Sequence, residues 1–354
     1  MPRPAAAPAL ACAAALALAA APAAGADEPE PLVDRAPATT VFEDRVAGPA
    51  AASLRAAPRQ SGGLPITTGD GERVTVRFIG GLDEDRAVAR SYVRFLGSLP
   101  HGRELGRLTV ALAPARRVGN LCGGGDGVLA CYSPVSETMV VPASEIGAVD
   151  TPTTSYVVAH EYGHHVAANR DNAPFEAIDY GPKRWASYEQ VCIKAIDGDL
   201  APGDEGASYR QNPGESWAEA YARLTYPDVP WRFTRLLEPD AGALAAARQD
   251  VLDPWAGPRT RTFTMPDGAT AQAFRLALRL DGALTVTATG PAGSAVGLTV
   301  HSGDEREGRA RPRDATARLH WRAACRTEQV ERLRLRVTRA GTAGPVALRV
   351  RYAG

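Results

Sequence analysis

Residues 157–165 read Val-Val-Ala-His-Glu-Tyr-Gly-His-His and contain the pattern H-E-x-x-H. On an α-helix, His160 and His164 lie one turn apart on the same face, so their imidazole nitrogens can converge on one metal ion. Glu161 projects from the flank of that face, where its carboxylate can take a proton from a water molecule without being a ligand. His165 lies about 140° around the helix from His160 and cannot join the same metal. The pattern predicts a zinc-binding helix, and the alternative is a core helix with partly exposed histidines.

A zinc hydrolase needs a third protein ligand besides the two histidines. The extended pattern H-E-x-x-H-x-x-G-x-x-H is excluded, because Ala167 and Arg170 stand where glycine and histidine would be. The best candidate is Glu215, in the predicted helix "NPGESWAEAY" that Asn212 would cap. Glu219 falls one turn later on the same face, and we predict that it orients a ligand histidine.

A different interpretation of this second helix stays open. Asn212 and Glu215 also fit a capping box, in which the glutamate side chain bonds the backbone of the capping residue. In that case Glu219 or Asp179 would have to bind the metal.

The first 26 residues have the features of a secretory signal peptide. A short region with Arg3 precedes an Ala/Leu-rich run, and the small residues Ala24-Gly25-Ala26 stand before Asp27. The run is Ala-rich and broken by Pro22, which argues against a membrane anchor. We therefore expect residues 1–26 to be removed and the protein to be secreted and extracellular.

In an exported protein, the four cysteines that follow the signal peptide are candidates for disulfide bonds. Cys122, Cys131, Cys192 and Cys325 allow three pairings, and we favour Cys122 with Cys131 and Cys192 with Cys325. The first bond would close a glycine-rich loop, and the second would join two distant regions of the chain. A structural zinc site is the alternative, although these spacings contain no C-x-x-C pair.

The formal charge is balanced, with 40 basic and 40 acidic residues. This balance gives no sign of binding to nucleic acid or to an anionic surface. We expect a protein or peptide substrate, no nucleic acid, no membrane anchor and a monomer.

The hydrophobic pattern divides the chain into regions of different type. Residues 27–72 are rich in Ala, Pro and Arg, which predicts a linker or propeptide. Residues 73–258 alternate strand and helix patterns in an α+β order, and a strand at residues 139–141 is expected at the edge of a small sheet. Residues 231–247 are expected to be helical. Residues 259–354 change to a period of two, which predicts an all-β sandwich with arginine-lined outer faces.

These motifs resemble a known class of enzymes. "TSYVVAHEYGHHVAAN" together with "GESWAEAYAR" is similar to the gluzincin zinc metallopeptidases, whose third ligand is a glutamate on a downstream helix. "LCGGGDGVLACYSPVSETMVVP" ahead of "HEYGHH" resembles a group of bacterial neutral zinc metallopeptidases, which usually have aspartate at the position of Glu219. The resemblance covers about residues 107–224 and implies a zincin-like catalytic domain. It implies Zn²⁺ at His160, His164 and Glu215, with Glu161 as general base.

Tyr209 is a further candidate that the resemblance supplies. It precedes Glu215 by six residues, and some gluzincins carry a tyrosine just ahead of the glutamate helix that stabilises the oxyanion. A packed or exposed loop tyrosine is the alternative.

Taken together, the sequence predicts a secreted zinc endopeptidase with a C-terminal β-sandwich. The sandwich is expected either to contact the substrate or a cell surface, or only to stabilise the catalytic domain with a solvated outer face. Two other functions stay open. The chain could be a secreted binding protein with an inactive metal helix, or a zinc amidase that acts on cell-wall material.

Overall fold

The structure is a computed structural model, and it describes residues 63–124, 128–144 and 153–354. The expected signal peptide and most of the expected linker lie outside the described residues. Within the described ranges the chain forms an α+β part, which carries the H-E-x-x-H helix, followed by antiparallel β-sheets. The fold class predicted from the sequence is confirmed.

A mixed sheet forms one layer of the α+β part. β2, β3 and β5 run parallel, while β1 and β4 pair antiparallel to their neighbours at the two edges. Apolar residues of β2 and β3 lie in the core between this sheet and the helices, because alternate side chains of a strand face the same side. The strands are β1 (Leu64–Thr67), β2 (Arg73–Phe78), β3 (Thr109–Ala113), β4 (Cys131–Ser133) and β5 (Thr138–Pro142).

Two expectations about this sheet are wrong. Residues 139–141 do not form an edge strand, because β5 pairs with β3 on one side and β4 on the other. The three-residue β4 was too short to stand out from its loop. The sheet also begins earlier than expected, since β1 lies within the predicted linker and pairs with β2.

The helices pack on one another and on the sheet. Their bounds are α1 (Arg86–Leu96), α2 (Ala115–Cys122), α3 (Thr154–Ala168), α4 (Ala177–Tyr180), α5 (Lys183–Tyr188), α6 (Val191–Ile196), α7 (Pro213–Arg223) and α8 (Ala241–Leu252). The prediction that residues 231–247 form one helix is wrong. A 3₁₀ turn, Arg235–Leu237, comes first, and α8 begins only after Pro239, with Asp240 as its N-cap. Among the described residues, none of the helices has the length and apolarity to cross a bilayer.

The C-terminal region consists of two four-stranded antiparallel sheets with the strand orders β10-β9-β12-β7 and β11-β8-β13-β6. Leu, Val and Ala side chains of both sheets face each other in a second hydrophobic core, whereas arginines alternate outward. The strands are β6 (Arg259–Met265), β7 (Ala271–Leu278), β8 (Gly282–Thr289), β9 (Ser294–Ser302), β10 (Glu305–Ala310), β11 (Thr316–Ala324), β12 (Glu331–Gly341) and β13 (Val346–Tyr352).

Two disulfides form, in the pairing favoured from the sequence. Cys122 bonds Cys131 and Cys192 bonds Cys325, with Cα atoms 5.9 Å and 5.4 Å apart. Such bonds persist in oxidising compartments, so they indicate an extracellular environment. The second disulfide links α6 to the segment after β11.

Buried polar contacts accompany this link. The Nζ atom of Lys183 donates to the carbonyls of Ala173 and Asp281, at 2.7 Å and 3.0 Å. Burial lowers the pKa of Lys183 to about 8. The backbone N–H of Asp281 donates to the hydroxyl of Ser187 at 2.9 Å. The sandwich is therefore fastened to the helical part by a disulfide and by hydrogen bonds.

Candidate metal centre

The helix α3 is buried from Thr154 to Ala167, as its apolar sequence predicts. Its N-cap is Thr153, whose hydroxyl accepts a hydrogen bond from the backbone N–H of Tyr156 at 3.2 Å. It packs against α7, and the indole of Trp217 on α7 donates to the carbonyl of Gly163 at 2.8 Å. This cross-helix bond fixes α7 beside the H-E-x-x-H turn.

Gly163 on α3 packs against the backbone of Ala218 on α7. A Cβ atom at this position would lie 2.8 Å from the Cα atom of Ala218 and 3.1 Å from its carbonyl oxygen. Both neighbours are backbone atoms, so they cannot turn aside. The glycine in the pattern therefore sets the spacing of the helices that carry the site.

We predict that Gly163→Ala pushes α3 and α7 apart. Overpacking of this kind costs about 1–3 kcal/mol, and the shift would also weaken metal binding because the candidate ligands lie on both helices. Urea unfolding and zinc titration measure the two effects. Gly69→Ala is the matched control, because an added Cβ there meets nothing within 4 Å. Equal stability of the two variants would contradict the packing argument.

Three buried side chains from the two helices converge. The Oε2 atom of Glu215 lies 3.4 Å from Nε2 of His160 and 3.3 Å from Nε2 of His164. All three side chains are fully buried, and they form a group in which every candidate ligand atom lies within 4.8 Å of the others. The structure thus places Glu215 at the histidines rather than in a purely capping role, and Asp179 does not belong to the group.

The spacing fits a tetrahedral zinc ion. Ligand atoms about 2.0–2.2 Å from such an ion lie about 3.3–3.6 Å from each other. The two nitrogen-to-oxygen separations, 3.4 Å and 3.3 Å, meet this requirement. Two imidazoles and one carboxylate are also the ligand types of known catalytic zinc sites. The residues present therefore could bind a metal ion such as zinc.

Two further side chains, those of Glu219 and Arg232, orient the candidate ligand His160. The Oε2 atom of Glu219 lies 3.1 Å from Nδ1 of His160, so this carboxylate fixes the ring with Nε2 directed at Glu215. Arg232 binds Glu219 with two hydrogen bonds, of 2.9 Å and 2.8 Å. Burial opposes ionisation of Glu219, yet Arg232 and His160 hold the pKa of its carboxyl well below the usual range. Glu219 thus stays a carboxylate in an enclosed site.

We predict that Arg232→Met lowers zinc affinity about 10- to 100-fold, because Glu219 would lose the partner that keeps it charged and oriented. Competition with a chromophoric chelator measures the affinity. Arg223→Met is the matched control: Arg223 donates to the carbonyl of Val229 at 2.8 Å and stacks over Trp231. A similar loss in both variants would show a general packing effect instead.

Tyr209 also reaches the centre. Its hydroxyl donates to the Oε2 atom of Glu215 at 3.1 Å, the oxygen that faces both histidines. Its ring packs against Phe233, which stacks on His160 with the ring planes 16° apart. Tyr209 is half-buried, unlike the fully enclosed ligands. The phenol therefore lies within reach of a group bound next to Glu215.

His165 has a structural role in the described part of the chain. Its Nε2 atom lies 2.8 Å from the carbonyl of Glu104, so this nitrogen carries the proton and donates. Nδ1 then accepts from the hydroxyl of Tyr132 at 2.9 Å. Burial lowers the pKa of His165, which favours the neutral ring. The residue ties α3 to β4 and to the 3₁₀ turn Arg103–Arg107.

The sequence did not reveal every residue of the centre. His160, His164 and Glu215 come together as predicted, and Glu161 is buried beside His160 on the same helix. Arg232 and Phe233 were missed, because they lie in an irregular segment after α7 and belong to no spaced motif. The only signal was an arginine between two aromatic residues, Trp231 and Phe233.

Comparison with known proteins gives little further information. No family model matches the chain, and no curated protein matches it. The pre-peptidase C-terminal domain of a collagenase from Bacillus anthracis is 10% identical with a TM-score of 0.22, covering 26% of this chain and 87% of that domain. A structure of infectious bursal disease virus, Gx strain, is 14% identical with a TM-score of 0.18, covering 29% of this chain and 34% of the viral chain. TM-scores this low carry no functional argument.

Proposed function

We propose that the protein is a secreted zinc-dependent endopeptidase of the gluzincin type. The convergence of His160, His164 and Glu215, with Glu161 next to them on α3, is the observation that carries this proposal. Two histidines and a glutamate leave room for a further ligand, which distinguishes catalytic zinc sites from closed structural ones.

A zinc ion at this site would supply Lewis acidity, which polarises a peptide carbonyl and makes water more acidic. Glu161 is the general base of the proposal. Its carboxylate accepts a proton from the attacking water and later delivers that proton to the leaving amine. Glu161 is not one of the three candidate ligands, so the proposal assigns metal binding and proton transfer to different residues.

Tyr209 is proposed to stabilise the negative charge that develops on the carbonyl oxygen. Its hydroxyl is a hydrogen-bond donor 3.1 Å from Glu215, at the half-buried rim of the centre. A donor in a site from which water is largely excluded is worth more than one in water.

Glu219 and Arg232 act as positioning residues. They fix the ring of His160, and the surrounding aromatic residues Tyr156 and Phe233 enclose Arg232 at 5.4 Å and 6.0 Å from their ring centres. This enclosure shields the Glu219–Arg232 pair from water, so the two charges interact strongly.

The experiment compares two classes of amide substrate. Purified protein is incubated with casein and with a cell-wall peptide amide, with and without a zinc chelator, and the new amino termini are counted. Chelator-sensitive cleavage of casein within the polypeptide supports an endopeptidase. Cleavage of the cell-wall amide alone would replace the proposal with an amidase, and zinc binding without either activity would favour a binding protein.

A further inference from the structure

Charge is distributed unevenly along the chain, although its sum is zero. Residues 259–354 contain 17 arginines, no lysine and 8 acidic residues, an excess of nine positive charges. The remainder holds 23 basic and 32 acidic residues, an excess of nine negative charges. The β-sandwich is therefore strongly basic. The balanced charge of the whole chain gave no sign of binding to an anionic surface, but the charge of this region favours such binding.

Many of these arginines share the outward face of the sheet β10-β9-β12-β7. Arg334 on β12 lies opposite both Arg275 on β7 and His301 on β9, and His301 lies opposite Arg306 on β10. One row across all four strands thus reads Arg, His, Arg, Arg. We name this surface the arginine face, and its six arginines are all exposed: Arg275, Arg306, Arg309, Arg332, Arg334 and Arg336.

The arginine face lacks neutralising charges. None of its six arginines forms a salt bridge within the described residues. The glutamates of the same strands, Glu305, Glu307 and Glu331, line a cavity with inward-facing Leu333 and Val300 instead. Like charges directly opposite on neighbouring strands are destabilising, as for Arg334 and Arg275. A bound anion would relieve this repulsion.

A trough runs beside the row of charges. Its volume is about 370 Å³, and the small side chains of Ala271 and Ala273 leave space next to Arg334, Arg336 and His301. The Nδ1 atom of His301 is buried and has no hydrogen-bond partner in the described part of the chain. The face therefore offers both a depression and polar groups that a ligand could satisfy.

We propose that the arginine face binds a linear acidic polysaccharide of an extracellular surface. Guanidinium groups pair with sulfate, phosphate or carboxylate through two parallel hydrogen bonds, and several such pairs along a polymer act together. The outward positions on these strands hold Ala, Gly, Thr, Arg and His, without the Phe, Tyr or Trp side chains that form stacking platforms for nucleic-acid bases. The face also has no large apolar side chain to insert into a bilayer.

The opposite sheet supplies a matched control surface. Arg349 lies between Thr262 and Thr287, and Arg351 lies between Thr260 and Thr285. Arginine is therefore flanked there by threonine instead of by another cation. Three arginines can be removed from either face with the same change in net charge.

The test measures binding of the purified chain to heparin, a sulfated polysaccharide, at about 0.15 M salt. R275T/R334T/R336T is compared with the control variant R318T/R349T/R351T, and thermal melting verifies that both are folded. We expect at least a tenfold loss of affinity and a weaker salt dependence only in the first, because fewer counterions are released. Arg334→Gln alone, at the centre of the row, should weaken binding severalfold.

Several outcomes would overturn the proposal. Equal losses in both triple variants would mean that net charge, and not the arginine face, binds heparin. No heparin binding by the unchanged protein would exclude the ligand class. Tighter binding to duplex DNA or phosphatidylserine vesicles would assign the face to another partner, and salt-sensitive dimers lost in the first variant would assign it to a second copy. The metal centre is unchanged in every variant, so the result is independent of peptidase activity.

Discussion

Glu161→Gln is expected to reduce peptide hydrolysis about 10²- to 10⁴-fold, the usual contribution of a general base. Glutamine keeps the size of the side chain but cannot accept a proton from water. His160, His164 and Glu215 are unchanged in this variant, so zinc should remain bound at the level of the unchanged protein. The loss should therefore appear in kcat at constant metal content.

Initial rates on a fluorogenic peptide, divided by the zinc content of each sample, measure this effect. Glu189→Gln is the matched control, since it replaces a buried glutamate that lies outside the metal group. Burial raises the pKa of Glu189 to about 7, so an amide there should leave folding intact near neutral pH. Near-normal activity of Glu161→Gln with bound zinc would remove Glu161 from the mechanism.

Glu215→Ala is expected to weaken zinc binding about 10²- to 10³-fold and to remove hydrolysis with it. A closed four-ligand zinc site contributes about 10–16 kcal/mol, so an equal share for one ligand is about 2.5–4 kcal/mol. The substitution also leaves His160 and His164 without the carboxylate that lies 3.3–3.4 Å from them. Zinc should then stabilise the unchanged protein against heating but not the variant.

Asp179→Asn is the control for this prediction, because Asp179 was one of two alternative ligands, with Glu219, that the sequence offered, and it lies outside the metal group. It should retain zinc and activity. If Asp179→Asn lost zinc while Glu215→Ala kept it, Glu215 would be a capping residue and the ligand set would have to change.

The metal centre was predictable because metal binding requires its ligand residues to stand at particular spacings in the sequence. Two histidines four residues apart must share a helical face, and Glu215 followed from the need for a third ligand on another buried helix. Glu219 was predicted for the same reason, since a second glutamate one turn later faces the same way. These inferences depend on local geometry, which sequence specifies well.

Contacts between distant segments were not predictable in this way. Arg232 contacts Glu219 from a loop whose sequence has no periodicity. β4 is only three residues long, so the sequence contains no pattern that predicts its position beside β5 at the sheet edge. The arginine face shows the same limit. Alternation revealed that arginines point outward, but only the register placed Arg334 opposite Arg275.

Elemental analysis of the purified protein, which counts zinc atoms per chain, tests the central claim most directly. The expected value for the unchanged protein is about one, falling to near zero in Glu215→Ala and staying near one in Glu161→Gln. Protein that binds no zinc after dialysis against a zinc buffer, although it is folded and both disulfides are intact, would contradict the metal centre and the peptidase proposal with it.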